Sequence, residues 1–178
     1  KKLKFMLSEK LKKEIVSYPD FPKKGILFRD INPLLSNSEL LHELIEEITK
    51  LSTFHNADGI VAIDARGFIF GSLIAHKLKK SLILARKRNK LPGEIIEMGY
   101  NLEYGDDSLS IQKSALSDLH KFVIVDDLLA TGGTAKCVSD LLTSEKKQVL
   151  SLVVVIELIE LQGRDNFNFP VYSQIKYK

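Results

Sequence analysis

The feature that most constrains the fold is the stretch 122–137, which reads FVIVDDLLATGGTAKC. It opens with four apolar residues, Phe122 to Val125, a run that is typical of a buried parallel strand. A helical pattern with one apolar face begins near Gly133. A strand that leads at once into a helix predicts a parallel α/β sheet, whose ligands bind beyond the carboxyl ends of the strands.

The turn between this strand and this helix has the composition of an anion site. Its glycines permit positive φ and close backbone approach, so successive N–H groups can surround an anion at the helix N-terminus. Its two threonines add hydroxyl donors. The residues predicted to bind a phosphate are Ala130, Thr131, Gly132, Gly133 and Thr134.

Asp126 and Asp127 stand before the turn, just past the end of the predicted strand. Two carboxylates would repel a phosphate, but each can accept hydrogen bonds from the vicinal hydroxyls of a ribose. A phosphate site beside a diol site predicts a sugar phosphate as the ligand. The alternative is a tight turn that uses glycine only for its geometry, which leaves the aspartates and threonines without a role.

Two further apolar runs end in charged turns. Gly59–Ile63 precedes a turn in which Arg66 can either hold a diphosphate through its forked guanidinium or form a salt bridge with Asp64. Ser81–Ala85 precedes a cationic run at 86–90, which suits a diphosphate, a solubilising loop or a nucleic-acid patch. One parallel sheet would bring all three turns to one edge, where together they match 5-phosphoribosyl 1-diphosphate.

The bulk composition fits one globular domain over residues 1–178, with 44% hydrophobic and 28% charged residues. The net charge of +3 suits anionic small substrates and does not by itself indicate nucleic acid. Cys137 is the single cysteine, which excludes an internal disulfide and favours a reducing, cytoplasmic setting. No apolar run has membrane-spanning length, so we expect no membrane partner. Since the positive net charge is small, we expect no nucleic-acid partner either.

Several motifs resemble those of the adenine phosphoribosyltransferases, within the type I phosphoribosyltransferase family: VDDLLATGGT, DARGF, LEYG, the basic run that ends KLPG, and FPKKGILFRD. The resemblance implies an α/β fold with a central, mostly parallel sheet flanked by helices. It also implies an N-terminal hood over about residues 1–35 and a flexible lid over about 86–111. The implied reaction converts adenine and 5-phosphoribosyl 1-diphosphate to AMP and diphosphate, in a homodimer.

The resemblance also implies a role for each matched residue. Glu103 in the lid would be the catalytic acid/base. The residues implied to contact the diphosphate are Arg66, Lys87, Lys90, Tyr104 and Arg86, the last across a dimer interface. The residues implied to hold adenine are Leu27, Phe28 and Arg29, with Leu158 or Ile159 closing its other face. Judged from the sequence alone, Phe28 could equally cover the core and Glu103 could be merely solvated.

Two further expectations accompany this interpretation. The peptide bond Asp64–Ala65 should be cis. Mg²⁺ should be held by substrate and water near Asp126 and Asp127, with no direct protein ligand. Two alternatives stay open, namely a phosphoribosyltransferase for another purine and a non-catalytic RNA-binding regulator that senses phosphoribosyl diphosphate.

Overall fold

The computed structural model describes residues 2–102 and 105–178. It divides into two compact units, one that ends at Lys50 and one that spans Leu51–Lys178. The organisation as one domain over residues 1–178 stays a prediction. No helix within the described residues is long and apolar enough to cross a membrane.

The first unit combines three helices with a two-stranded antiparallel ribbon. Its elements are α1 (Lys2–Glu14), β1 (Val16–Pro19), β2 (Leu27–Asp30), α2 (Asn32–Ser36) and α3 (Ser38–Ile48). Leu11 and Leu44 are fully buried in its core. Asn37 caps α3, because its Oδ1 accepts a hydrogen bond from Leu40 N–H at 3.1 Å. α1 ends at Glu14, and Val16, the first residue of β1, is 40% exposed.

The second unit is built on a seven-stranded sheet in the order β5–β6–β4–β3–β7–β8–β9. The strands are β3 (Gly59–Ile63), β4 (Ser81–Lys87), β5 (Ile95–Leu102), β6 (Gly105–Gln112), β7 (Lys121–Leu129), β8 (Gln148–Leu158) and β9 (Val171–Tyr177). β4, β3, β7, β8 and β9 run parallel, whereas β5 and β6 form an antiparallel hairpin beside β4. The predicted fold class is therefore confirmed.

Helices α4 (Gly67–Leu78) and α5 (Gly133–Ser144) cover opposite faces of this sheet. Side chains alternate along a strand, so neighbouring residues of β3 face different helices. Val61 joins the buried cluster that contains Leu141 of α5. Ala62 faces α4, where a Cβ on Gly71 would lie only 2.5 Å from the Ala62 Cβ.

Two crossovers that pass through α-helices leave the middle of the sheet in opposite directions. From β3 the chain passes through α4 to β4, whereas from β7 it passes through α5 to β8 on the other side. β3 and β7 are adjacent, and the strand order reverses between them. In open α/β sheets a crevice forms at such a switch point, outside the carboxyl ends of the strands.

The stretch that the resemblance assigns to a lid contains the hairpin of β5 and β6, and the base of this hairpin belongs to the sheet. β6 pairs with β4 through Arg86↔Ser110 and Lys87↔Leu109, and Leu109 is fully buried. The prediction that Arg86 and Lys87 lie in a loop is wrong, because this pairing extends β4 to Lys87. Closure of the hairpin over a ligand stays a prediction.

Candidate active site

Asp126 and Asp127 lie inside β7, and the prediction that they follow the strand is wrong. Pairing of β7 with β3 ends at Ala62↔Val125, but pairing with β8 continues to Leu129↔Glu157. The aspartates therefore extend past the end of β3 while β8 still supports their backbone. This places two carboxylates at the switch-point crevice on a hydrogen-bonded strand rather than on a free loop.

Asp127 is buried and Asp126 is partly buried. Asp127 is 5% exposed, and its N–H donates to Asp126 Oδ1 at 2.8 Å. A Cβ on Gly67 would lie 2.8 Å from Asp126 Oδ1, so this carboxylate packs against the first residue of α4. Burial raises the pKa of Asp126 well above its usual range, and the neighbouring Asp127 raises it further. Burial also raises the pKa of Asp127, an effect that the Arg66 guanidinium opposes.

Arg66, in the turn after β3, reaches across the crevice to Asp127. Its Nη2 lies 2.8 Å from Asp127 Oδ2, with 37% of the arginine side chain exposed. From the sequence, the partner of Arg66 could be a diphosphate or Asp64. In the structure Asp64 is instead close to Arg86, whose Nε lies 3.4 Å from Asp64 Oδ2. The peptide bond between Asp64 and Ala65 is cis, as expected. The turn after β3 thus contacts the carboxyl end of β7 directly.

The basic run after β4 is tied back to the turn after β3. Besides its contact with Asp64, the Arg86 guanidinium lies 5.8 Å from the centre of the Phe68 ring. Arg86 also donates to the Lys90 carbonyl at 3.2 Å, and the Lys87 N–H approaches Asp64 Oδ2 at 3.4 Å. All three predicted diphosphate contacts in this run therefore lie at the same edge of the sheet as Arg66.

The predicted phosphate-binding residues form the entry to α5. Gly132 is the N-cap and has φ +86°, the left-handed conformation that favours glycine. Lys136 N–H makes the first intrahelical bond, to the Gly132 carbonyl at 2.8 Å. By helix geometry the preceding N–H groups, those of Gly133, Thr134 and Ala135, have no intrahelical acceptor and carry the positive end of the helix dipole. This arrangement suits an anion.

A second segment packs against this turn, and the sequence analysis missed it. It is the 3₁₀ turn Gly163–Asn166, which follows β8. Asn166 Nδ2 donates to the Thr131 carbonyl at 2.7 Å, and a Cβ on Gly163 would lie 2.1 Å from the Ala130 carbonyl oxygen. The contacts join residues more than thirty positions apart, so no local pattern could have indicated them.

The remaining predicted site residues belong to the first unit, to the end of β8 or to the part of the chain that is not described. Leu27, Phe28 and Arg29 form part of β2 in the first unit, where Arg29 Nη1 donates to Ser17 Oγ. Leu158 ends β8, and Ile159, 42% exposed, opens the 3₁₀ turn that follows. Glu103 and Tyr104 lie outside the described residues, so their roles stay predictions.

In the described part of the chain, no three side chains of His, Cys, Asp or Glu cluster as metal ligands do. The available donors at the crevice are the two adjacent carboxylates, one of them engaged by Arg66 at 2.8 Å. Mg²⁺ demands about six oxygen ligands and keeps several waters. This pair therefore fits an ion that is bound mainly by substrate and water.

Known proteins are similar to this chain over nearly its whole length. A family model described as a phosphoribosyl transferase domain matches residues 35–177. An adenine phosphoribosyltransferase of Prochlorococcus marinus is 55% identical over 170 residues, covering 96% of this chain and 99% of that protein. One from Mycoplasmopsis pulmonis is 47% identical, with coverages of 93% and 97%.

Solved structures of adenine phosphoribosyltransferases have a similar fold. The adenine phosphoribosyltransferase of Rhodothermus marinus DSM 4252 superposes with a TM-score of 0.90 at 35% identity, covering 97% of this chain and 99% of that one. The Saccharomyces cerevisiae enzyme, complexed with adenine and an imino-altritol bisphosphate, has a TM-score of 0.87 at 35% identity, with coverages of 96% and 99%. With an α/β switch-point crevice, paired aspartates and an anion-binding helix entry, this chain belongs to the adenine phosphoribosyltransferases of the type I phosphoribosyltransferase family.

Proposed function

We propose that this chain transfers the phosphoribosyl group of 5-phosphoribosyl 1-diphosphate to adenine, releasing AMP and diphosphate in purine salvage. The observation that carries the proposal is the 2.8 Å contact between Arg66 and Asp127, a short stretch of chain before the helix entry of α5. It brings a diphosphate-binding cation, a diol-binding carboxylate and a phosphate-binding turn to one crevice.

The donor is held at three points. The N–H groups and hydroxyls of Ala130–Thr134 bind the 5-phosphate, and Asp126 and Asp127 accept hydrogen bonds from the ribose hydroxyls. Arg66 and the basic run of β4, with Arg86, Lys87 and Lys90, bind the diphosphate. On binding, Arg66 exchanges its carboxylate partner for the diphosphate while Asp127 turns to the ribose, so each charge leaves one partner for another.

Reaction occurs by displacement at the anomeric carbon through an oxocarbenium-like transition state. Arg66, Lys87 and Lys90 stabilise the charge that builds up on the departing diphosphate. Glu103 manages the proton on the attacking purine, and Tyr104 closes over the diphosphate. Asp126 and Asp127 would hold a hydrated Mg²⁺ ion beside the donor, and the ion would supply further neutralisation of the charge on the diphosphate.

Adenine recognition rests on the first unit. Phe28 offers an aromatic face for stacking, Leu27 offers a backbone donor and acceptor, and Arg29 lines the site. Leu158 closes the other face of the base. We further propose a homodimer, to which Arg86 contributes across the interface, and a cytoplasmic location consistent with a single, buried cysteine.

The decisive experiment measures nucleotide formation from labelled donor with adenine, hypoxanthine, guanine and xanthine in turn. We expect AMP alone, and only with Mg²⁺ present. Formation of another nucleotide at a higher rate would assign the chain to a different purine. If no base is converted, the regulator alternative gains support, and a salt-sensitive shift of labelled RNA would then be its expected signature.

A further inference from the structure

The turn that precedes α5 packs against the backbone of the segment Gly163–Asn166, which we call the supporting segment. Gly163 is buried, and a Cβ there would lie 2.1 Å from the Ala130 carbonyl oxygen and 2.9 Å from the Thr131 carbonyl carbon. In return, a Cβ on Gly132 would lie 2.8 Å from the Gly163 carbonyl oxygen. The two stretches therefore touch main chain to main chain, and a side chain at either glycine would force them apart.

Asn166 adds a directional contact to this packing. Its Nδ2 donates to the Thr131 carbonyl at 2.7 Å and to the Gly163 carbonyl at 3.2 Å, so one amide bridges the two stretches. A trans peptide is planar, with its C=O and N–H on opposite sides. A bond that holds the Thr131 carbonyl toward Asn166 therefore turns the N–H of the same peptide, which belongs to Gly132, to the other side.

The supporting segment is itself fixed by an ion pair between its Arg164 and the buried Glu157. Arg164 donates to Glu157 through Nε at 2.8 Å and through Nη2 at 2.6 Å, and its Nη1 donates to the Val171 carbonyl at 2.6 Å. Glu157 is directly opposite Leu129 in the sheet, one residue before the turn begins. The support and the turn thus share one rigid base at the carboxyl ends of β7 and β8.

We propose that Asn166 is a positioning residue for the 5-phosphate subsite, because it orients the Thr131–Gly132 peptide with its carbonyl turned away from the anion. This inference rests on the proposed function, which assigns the 5-phosphate to Ala130–Thr134. Without the Asn166 bond the peptide can rotate and present a carbonyl oxygen to the phosphate. Asn166 itself is solvent-exposed, so its substitution leaves the core intact.

The test compares Asn166→Ala and Asn166→Asp with the same two substitutions at Asn168. Asn168 is an exposed asparagine two positions along that makes no hydrogen bond to the turn among the described residues. Calorimetry measures the Kd of ribose 5-phosphate, which occupies the 5-phosphate subsite, and of diphosphate, which does not. Steady-state kinetics and thermal unfolding are also measured for each variant and for the wild type.

For Asn166→Ala we expect ribose 5-phosphate to bind about tenfold more weakly, or about 1.4 kcal/mol, with diphosphate affinity changed less than twofold. KM for the phosphoribosyl donor should rise at nearly constant kcat, since the 5-phosphate is bound equally in the ground and transition states. Asn166→Asp should be weaker still, because it loses the donor and adds a negative charge. The Asn168 variants should match the wild type.

Equal Kd values for ribose 5-phosphate in the Asn166→Ala variant and the wild type would overturn the inference. So would an equal loss of ribose 5-phosphate and diphosphate affinity accompanied by a lowered Tm, which would show a general structural role. A wild-type chain that binds ribose 5-phosphate but forms no nucleotide would refute the proposed activity, and the binding comparison would still decide the role of Asn166.

Discussion

Glu157 is a nearly buried carboxylate whose charge should stabilise the fold in a measurable, pH-dependent way. It is 4% exposed at the end of β8. Its oxygens accept hydrogen bonds from Arg164 at 2.6 and 2.8 Å and from Ser173 Oγ at 2.6 Å, and Lys176 Nζ lies 3.5 Å away. The perturbation we consider is Glu157→Gln, which keeps the shape of the side chain and removes the charge.

The size of the effect follows from the pKa of Glu157. Hydrogen bonding from Arg164, against the opposing effect of burial, lowers this pKa from its usual 4.5 to about 2. A carboxyl whose pKa is lowered by folding stabilises the fold above its unfolded pKa, and this contribution is lost as pH falls toward the folded value. The difference between the two pKa values corresponds to about 3 kcal/mol of folding stability at neutral pH. Of this stability, about 0.2 kcal/mol is lost by pH 5 and about 1.4 kcal/mol by pH 3.5.

The assay is urea unfolding of the wild type and of Glu157→Gln at pH 7, 5, 4 and 3.5, followed by circular dichroism. Glu157→Gln should be less stable by about 2–3 kcal/mol at pH 7, and this gap should narrow by about 1 kcal/mol between pH 5 and 3.5. Glu160→Gln removes the same charge from an exposed position and should change stability by less than about 0.5 kcal/mol. A gap that stays constant, or widens as pH falls, would refute the reasoning.

Three further predictions concern the site and the packing beneath it. Glu103→Ala should lower kcat far more than it weakens substrate binding, and an equal loss in both would argue against its role as acid/base. Arg66→Gln should raise KM for the phosphoribosyl donor about tenfold or more, whereas Arg88→Gln, which removes an exposed cation paired with Glu97 at 3.0 Å, should leave it unchanged. Gly71→Ala should destabilise the fold by about 1–3 kcal/mol in urea unfolding, because its new Cβ meets Ala62, and adding Ala62→Gly should recover part of this loss.

The strands and the phosphate-binding turn could be predicted because their determinants are local. The apolar run of β7 and the glycines at 132 and 133 carry their own conformational preferences, and the structure has β7 and α5 where these indicate. The same holds for β3. Periodicity and turn chemistry act over a few residues, and these elements need nothing more.

The partners of the charged groups could not be predicted in this way. Arg66 is two residues from Asp64 but sixty-one from Asp127, and it pairs with the distant one. The pairing depends on the reversal of strand order between β3 and β7, a property of the whole sheet. The extension of β7 to Leu129 likewise depends on β8, which continues beyond the end of β3. Non-local contacts of this kind leave no spacing in the sequence.

The carboxylates at the carboxyl edge of the sheet differ in their effect on folding stability. Glu157 has its charge matched by Arg164, and folding lowers its pKa. Asp126, partly buried, lies beside the buried Asp127, and folding raises the pKa values of both despite the nearby Arg66. Ionised carboxylates in that state oppose folding, since burial favours the neutral form. Hydrogen-bond donors from a ribose diol would favour the charged form, so ribose binding would offset part of the cost of burying these charges. Neutralising Asp126 should therefore stabilise the ligand-free fold and weaken ribose binding together, as expected for a group kept for function rather than stability.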